Sequence, residues 1–338
     1  MPTRAFIAGL SGPVLTADEQ AFFRDAEPWG FILFRRNVET PDQVRALTGA
    51  LREAVGRDAP ILIDQEGGRV QRLGPPHWPK YPPGRAFGTW RSNDPQAQRE
   101  LARAGARLIA HDLKKLGIDV DCLPVLDVPV PGAHGIIGDR AYADDPATIA
   151  VLGRAAAEGL LAGGVLPVIK HIPGHGRARA DSHEALPVVD AGLEELRARD
   201  FFPFTVLADM PLAMTAHVVY SALDTESPAT TSSRVIGEIV RDWIGFEGLL
   251  MSDDLSMRAL SGSMADRTAA SLAAGCDVVL HCNGLMHELV EVAAAAPVLG
   301  GRPAERAAAA LSRILKVVEP FDPVEARARL DAALAAVA

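Results

Sequence analysis

What most limits how this chain can fold is a series of eight short, continuously apolar runs separated by amphipathic, Ala-rich stretches. They span residues 5–9, 31–34, 61–64, 120–126 with an interruption at Pro124, 166–170, 212–217, 249–252 and 278–282. A strand with one wet face alternates apolar and polar residues; runs that are apolar on successive positions resemble parallel strands covered by helices. Helix-start signals lie between them: Thr16 three residues before Glu19, Thr40 before Pro41, and Asp94-Pro95 opening a long helix to about Leu116. Eight such βα repeats predict an α/β chain folded as a single-domain (β/α)8 barrel of the TIM type. Residues in excess of an ideal barrel fall after Asp64, Asp127 and Lys170, in loops on the face where barrels build active sites. Behind the eighth run only helices are expected, over 304–318 and 324–337, so residues 1–338 read as one domain with no second one.

Composition narrows the partners. With 34 Lys and Arg against 43 Asp and Glu, a net charge of −9 and no basic run, nucleic acid and anionic membrane surfaces are poor candidates. No stretch of about 18 uncharged apolar residues occurs, and the N-terminus lacks the pattern of a signal peptide. The three cysteines, Cys122, Cys276 and Cys282, are odd in number and form no C-x-x-C pair, which argues against a disulfide framework or a structural zinc site. The expectation is a soluble cytoplasmic monomer in a reducing compartment, acting on a small molecule.

Polar residues concentrate at the ends of the apolar runs. Asp64 closes one strand, and the Gly pair and Arg72 follow it; together they can hold sugar hydroxyls or form a salt bridge that stabilises the loop. The segment from Lys170 to His183 holds three of the nine histidines. His171, His175, Asp181 and His183 could be read as metal ligands, but a Pro-Gly break parts the first two and Lys170 would set a positive charge beside the metal. Acid–base chemistry fits better: Asp181 and His183 are two apart, which lets the carboxylate orient the imidazole and stabilise its protonated form. An isolated D-x-H would equally suit a structural loop hydrogen bond. Asp253 and Asp254 end another buried run, where adjacent like charges are costly; one of them can cap the next helix while the other faces the barrel mouth. Spacing alone does not choose between them, nor between nucleophile, base and ligand.

Taken together, I-D-Q-E-G-G-R-V-x-R at 63–72, G-D-R-A-Y at 138–142, K-H-I-P-G-H-G at 170–176 with D-S-H at 181–183, and S-D-D-L-S-M at 252–257 resemble glycoside hydrolase family 3. The resemblance is to its β-N-acetylhexosaminidase branch and extends from Gly9 to about Asn283; relatives acting on plain glucosides lack the D-S-H dyad. Ile172, where Phe is commoner, is one mild departure. The resemblance implies roles residue by residue. Asp253 is the nucleophile, His183 the acid/base on a loop, and Asp181 the partner of that histidine. Asp64, Arg72, Arg140, Lys170 and His171 bind a terminal N-acetylglucosamine. It further implies a cytoplasmic enzyme of bacterial cell-wall recycling that needs neither metal nor organic cofactor and takes muropeptide fragments by double displacement. A phosphorylase of the same family and a non-catalytic sugar-binding barrel are the alternatives. Retaining glycosidases usually pair two carboxylates; a histidine acid beside an ionised Asp avoids two carboxyl groups sharing one proton.

Overall fold

In the computed structural model, which describes residues 3–90, 94–314 and 317–335, the eight apolar runs form the strands of a closed barrel. The strands are β1 (Arg4–Gly9), β2 (Pro28–Leu33), β3 (Ile61–Ile63), β4 (Val120–Asp121), β5 (Leu166–Ile172), β6 (Leu212–Thr215), β7 (Leu249–Asp254) and β8 (Val278–His281). Each pairs in parallel with the next, and β8 closes on β1. Both strand faces are buried, which explains the unbroken apolar runs. Ile7, Leu62, Val168, Met214, Met251 and Leu280 pack inside the barrel. Their neighbours Phe6, Ile63, Ile169, Leu250 and Val279 point outward and pack in the layer that also takes Val44, Leu47 and Leu51 of the helix Pro41–Val55. The period of two is thus preserved, with apolar residues on both sides.

The helix starts are chemical caps. Thr16 accepts the Glu19 N–H at 3.2 Å while the Glu19 carboxylate accepts the Thr16 N–H at 3.0 Å, a reciprocal capping box. Thr40 accepts from Gln43 N–H ahead of Pro41, and Asp94 accepts from Gln96 N–H ahead of the helix Pro95–Lys114.

Several boundaries differ from the sequence expectation. β2 begins three residues earlier, at Pro28, and β5 and β7 run on to Ile172 and Asp254. The 120–126 run is a strand only over Val120–Asp121, because Pro124 has no N–H to donate; pairing resumes where Val125 bridges Lys170. The helix expected over 304–318 is Gly301–Ser312, and residues 315 and 316 of its expected span lie outside the described residues. Glu319 is drawn away from that axis: its N–H bonds the Ala162 carbonyl, and Arg103 and Arg107 hold its carboxylate and carbonyl. The last helix, Pro323–Ala335, packs on Pro95–Lys114 and sets Arg327 over the Tyr81 ring at 4.5 Å; its expected end at 337 lies outside the described residues. No helix among the described residues is long and apolar enough to cross a membrane.

The loop after β3 is a short hairpin, Gln65–Gly67 against Val70–Gln71. Its turn depends on Gly67, which has φ +92° and stands where a Cβ would lie 2.2 Å from the Pro82 carbonyl oxygen. Gly67→Ala should therefore displace the hairpin and cost at least about 1–2 kcal/mol from the left-handed backbone alone. Urea denaturation of both proteins checks this, and an unchanged midpoint would show that the turn tolerates a side chain.

Candidate active site

Strand alternation selects what reaches the barrel mouth. Leu62 faces inward, and so does Asp64 two residues on; Leu166 and Val168 are followed by Lys170, and Leu249 and Met251 by Asp253. Strict alternation would turn His171 outward, but the β5 pairing shifts register between Lys170 and Ile172. Lys170 and His171 consequently both line one cavity of about 360 Å³. Asp64, Arg72, Arg140, His183 and Asp253 line the same cavity, with Glu66, Arg69, His175 and Phe34. Asp181 stands behind His183 and reaches the cavity only through it.

On one side of the cavity is a buried charge network. The Lys170 ammonium, 2% exposed, donates to Asp64 at 2.8 Å and lies 2.6 Å from Glu66. Arg72 donates to the other Asp64 oxygen at 2.8 Å, and Arg140 clasps Glu66 through two bonds of 2.8 Å. Burial opposes charge at Asp64, Glu66, Arg140 and Lys170, yet the partners prevail. Asp64 lies well below the ordinary carboxylate range, Glu66 is held at about 2, and Lys170 is pushed up. Asp64, Glu66 and Lys170 therefore stay ionised at neutral pH. Arg72 also stacks on Phe34, its guanidinium carbon 4.9 Å from the ring centre.

Asp253 is 8% exposed. Burial raises its pKa, but the charges of His171, His217 and Lys170 and the Asp254 N–H donating to Oδ1 at 2.8 Å bring it below the usual value. Asp254 is differently engaged: its carboxylate accepts the N–H groups of Ser256 and Cys282 and the Ser256 hydroxyl, tying β7 to the turn that follows. His183 carries its side chain 58% exposed, with Nδ1 at 2.8 Å from Asp181, whose same oxygen accepts the His183 N–H at 2.9 Å. This leaves Nε2 for a substrate. Burial raises Asp181, and the His183 bonds and charge outweigh it, so it is held low. The intervening Ser182 is buried, its carbonyl accepting from Ala259 N–H and its hydroxyl 3.3 Å from His175 Nε2.

Three side chains went unassigned in the sequence reading. Glu66 lies inside the I-D-Q-E-G-G motif, and Asp127 and His217 end the fourth and sixth apolar runs. Asp127, fully buried, accepts from the ring and backbone N–H of His171 and from His175 N–H. His217 Nε2 donates to the Asp254 carbonyl at 3.0 Å. The rule that picked out Asp64, a polar residue closing a buried strand, applies equally to Asp127 and His217. Among the described residues no group of three or more His, Cys, Asp or Glu side chains is arranged to hold a metal.

A closed parallel barrel whose strand ends and loops gather ionised carboxylates, cations and a loop histidine into one cavity defines a (β/α)8 enzyme. Over residues 14–317 the chain matches the glycosyl hydrolase family 3 N terminal domain, and it belongs to that family. It is a glycoside hydrolase. It is 38% identical over 287 residues to a β-hexosaminidase of Bordetella parapertussis, spanning 84% of this chain and 81% of that one. A Pseudomonas aeruginosa β-hexosaminidase is 41% identical over 277 residues, 81% of each chain. Among solved structures, NagZ from Neisseria gonorrhoeae in complex with N-trifluoroacetyl-D-glucosamine superposes with a TM-score of 0.85 at 32% identity, covering 100% of this chain and 97% of that one. A family 3 β-N-acetylglucosaminidase from Paenibacillus sp. str. FPU-7 gives 0.86 at 28% identity, covering 97% and 67%.

Lys170→Met should leave Asp64 and Glu66 with less compensation and destabilise the fold by about 3–5 kcal/mol at pH 7. In the wild type both carboxylates titrate lower when folded than when unfolded. Their stabilising contribution is therefore present above about pH 5 and lost as pH falls toward about 2. The variant's deficit should shrink over that window, as followed by urea midpoints from pH 7 to 2.5.

Proposed function

We propose that this hydrolase is a retaining exo-β-N-acetylglucosaminidase that removes terminal β-linked N-acetylglucosamine from muropeptide fragments, including those ending in 1,6-anhydro-N-acetylmuramic acid. The observation that carries the reading is the placement of an ionised, buried Asp253 and a carboxylate-paired His183 on one cavity sized for a sugar. The names of the Bordetella and Pseudomonas relatives, and the N-acylated glucosamine held by the gonococcal one, favour the N-acetylglucosamine class. The three buried cysteines, all free, suit the reducing cytoplasm in which such fragments would be recycled.

In the first step an Asp253 oxygen attacks the anomeric carbon as the glycosidic C–O bond breaks, and His183 passes its Nε2 proton to the leaving oxygen. In the second, His183 takes a proton from water, whose oxygen attacks the same carbon and frees the Asp253 carboxylate. Two inversions give net retention. Asp181 keeps His183 in the tautomer that presents Nε2 and favours the imidazolium needed in the first step. Asp64, with Lys170 and Arg72 fixing its two oxygens, accepts sugar hydroxyl protons; Arg140, Lys170 and His171 complete the sugar-binding wall. No step calls on a metal or cofactor.

Turnover of aryl glycosides tests this directly. Hydrolysis of an aryl β-N-acetylglucosaminide should vanish in Asp253→Ala, and a 2-fluoro sugar should label Asp253 in the wild type; full activity in the variant would sink the nucleophile assignment. His183→Ala should lose far less on an aryl leaving group than on a natural disaccharide, because a good leaving group needs little protonation. Equal losses would count against acid catalysis. Turnover that depends on added phosphate would make the enzyme a phosphorylase, and faster cleavage of the matched glucoside would move the substrate class.

A further inference from the structure

Asp127 is a buried carboxylate behind the cavity wall that the reaction above does not use. It ends the stretch that follows β4, is fully buried, and is absent from the cavity lining. Oδ2 lies 2.6 Å from His171 Nδ1, while Oδ1 accepts the His175 N–H at 2.6 Å and the His171 N–H at 3.3 Å. One carboxylate thus holds the chain at both ends of the H-I-P-G-H turn and the imidazole at its start. A carboxylate only accepts hydrogen bonds, so Nδ1 must carry the proton, and the His171 ring presents Nε2 to the sugar. The turn has little other means of fixing that ring: His175, which stacks edge-on against it at 5.7 Å, bonds Ser182 through Nε2 and leaves Nδ1 without a partner.

We propose that Asp127 is a positioning residue of the glycosidase: it fixes the tautomer and orientation of His171, and through His171 it keeps Asp253 ionised and the sugar seated. The arrangement repeats the Asp181–His183 pair on a second, buried histidine, so the reacting carbon lies among two carboxylate-oriented imidazoles. The electrostatics run the same way. Burial raises Asp127, but the charge and hydrogen bonds of His171 and His175 bring it down to about 2, so it remains a carboxylate throughout the working range. Asp253 in turn is held low in part by His171. The groups that face this pair are His175 and Lys170 from β5 and its turn, Arg140 from the loop after β4, His217 and Tyr220 from the segment after β6, and Asp253 from β7.

This assignment rests on the proposed glycosidase reaction, and a double-mutant cycle separates the two. With an aryl β-N-acetylglucosaminide, Asp127→Asn should lower kcat/KM by about 10- to 100-fold, the scale on which removal of an orienting partner acts. The acid limb of its pH profile should move upward, because a His171 ring released from Asp127 is no longer held where its field favours the Asp253 carboxylate. His171→Gln should show a loss of similar size, and the double variant should be no worse than His171→Gln alone. Losses that multiply, or an unmoved acid limb, would mean that Asp127 merely supports the turn and would overturn the proposal. Wild-type protein that does not cleave the substrate would instead count against the function. Should Asp127→Asn fail to fold, proton NMR decides: a low-field ring N–H resonance is expected in the wild type and lost in His171→Gln, and its absence from the wild type overturns the assignment.

Discussion

A buried ammonium holds this barrel mouth together. Lys170, inside the ring of strands, is almost fully buried, and a lone charge there would cost several kcal/mol. Its compensation comes from Asp64 at the end of β3 and Glu66 in the hairpin beyond, the first shared with Arg72 of the same loop and the second with Arg140 of the loop after β4. Removing any member leaves its partners short of countercharge in a site with little solvent. The loops after β3 and β4 are therefore bound to the end of β5 by mutual electrostatic need, and the sugar-sized cavity is what remains between them.

On the opposite side, Asp253 keeps its charge by a looser arrangement. Among the described residues no cation forms an ion pair with it; burial disfavours its ionised form, while histidines, a lysine and one backbone N–H restore it. A nucleophile clamped in a tight ion pair would be stable and unreactive, whereas one held ionised by surrounding field retains free lone pairs for attack. The contrast with Asp64, whose two oxygens are both held by cations, fits the proposed division between a carboxylate that binds and one that reacts.

The barrel was legible because burial on both faces writes itself as unbroken apolar runs, and the mouth was legible because polar residues closing those runs have nowhere else to point. Asp64 and Lys170 follow from that rule. Spacing alone left Asp253 and Asp254 undecided; both line the cavity, and what distinguishes them is that the Asp254 carboxylate is taken up by Ser256 and Cys282. His171 could not be placed by alternation, since a register shift in β5 turns it inward. Glu66 was hidden among the polar residues of a loop, where no periodicity says which side chain folds back. Glu319 is held by Arg103 and Arg107, some two hundred residues earlier, and contacts at that separation leave no local mark.

The two halves of the site are built on different foundations. Asp253 is set by a barrel strand, while His183 projects from a loop that reaches the barrel through Ser182, with His175, Met257 and Ala259 around it. On the proposed reaction, the nucleophile can therefore be changed only by disturbing the core, but the loop that carries the proposed proton donor can be lengthened, shortened or exchanged as a cassette. A barrel constructed in this way can keep one way of breaking a glycosidic bond while descendants vary how, and for which leaving group, the proton is delivered.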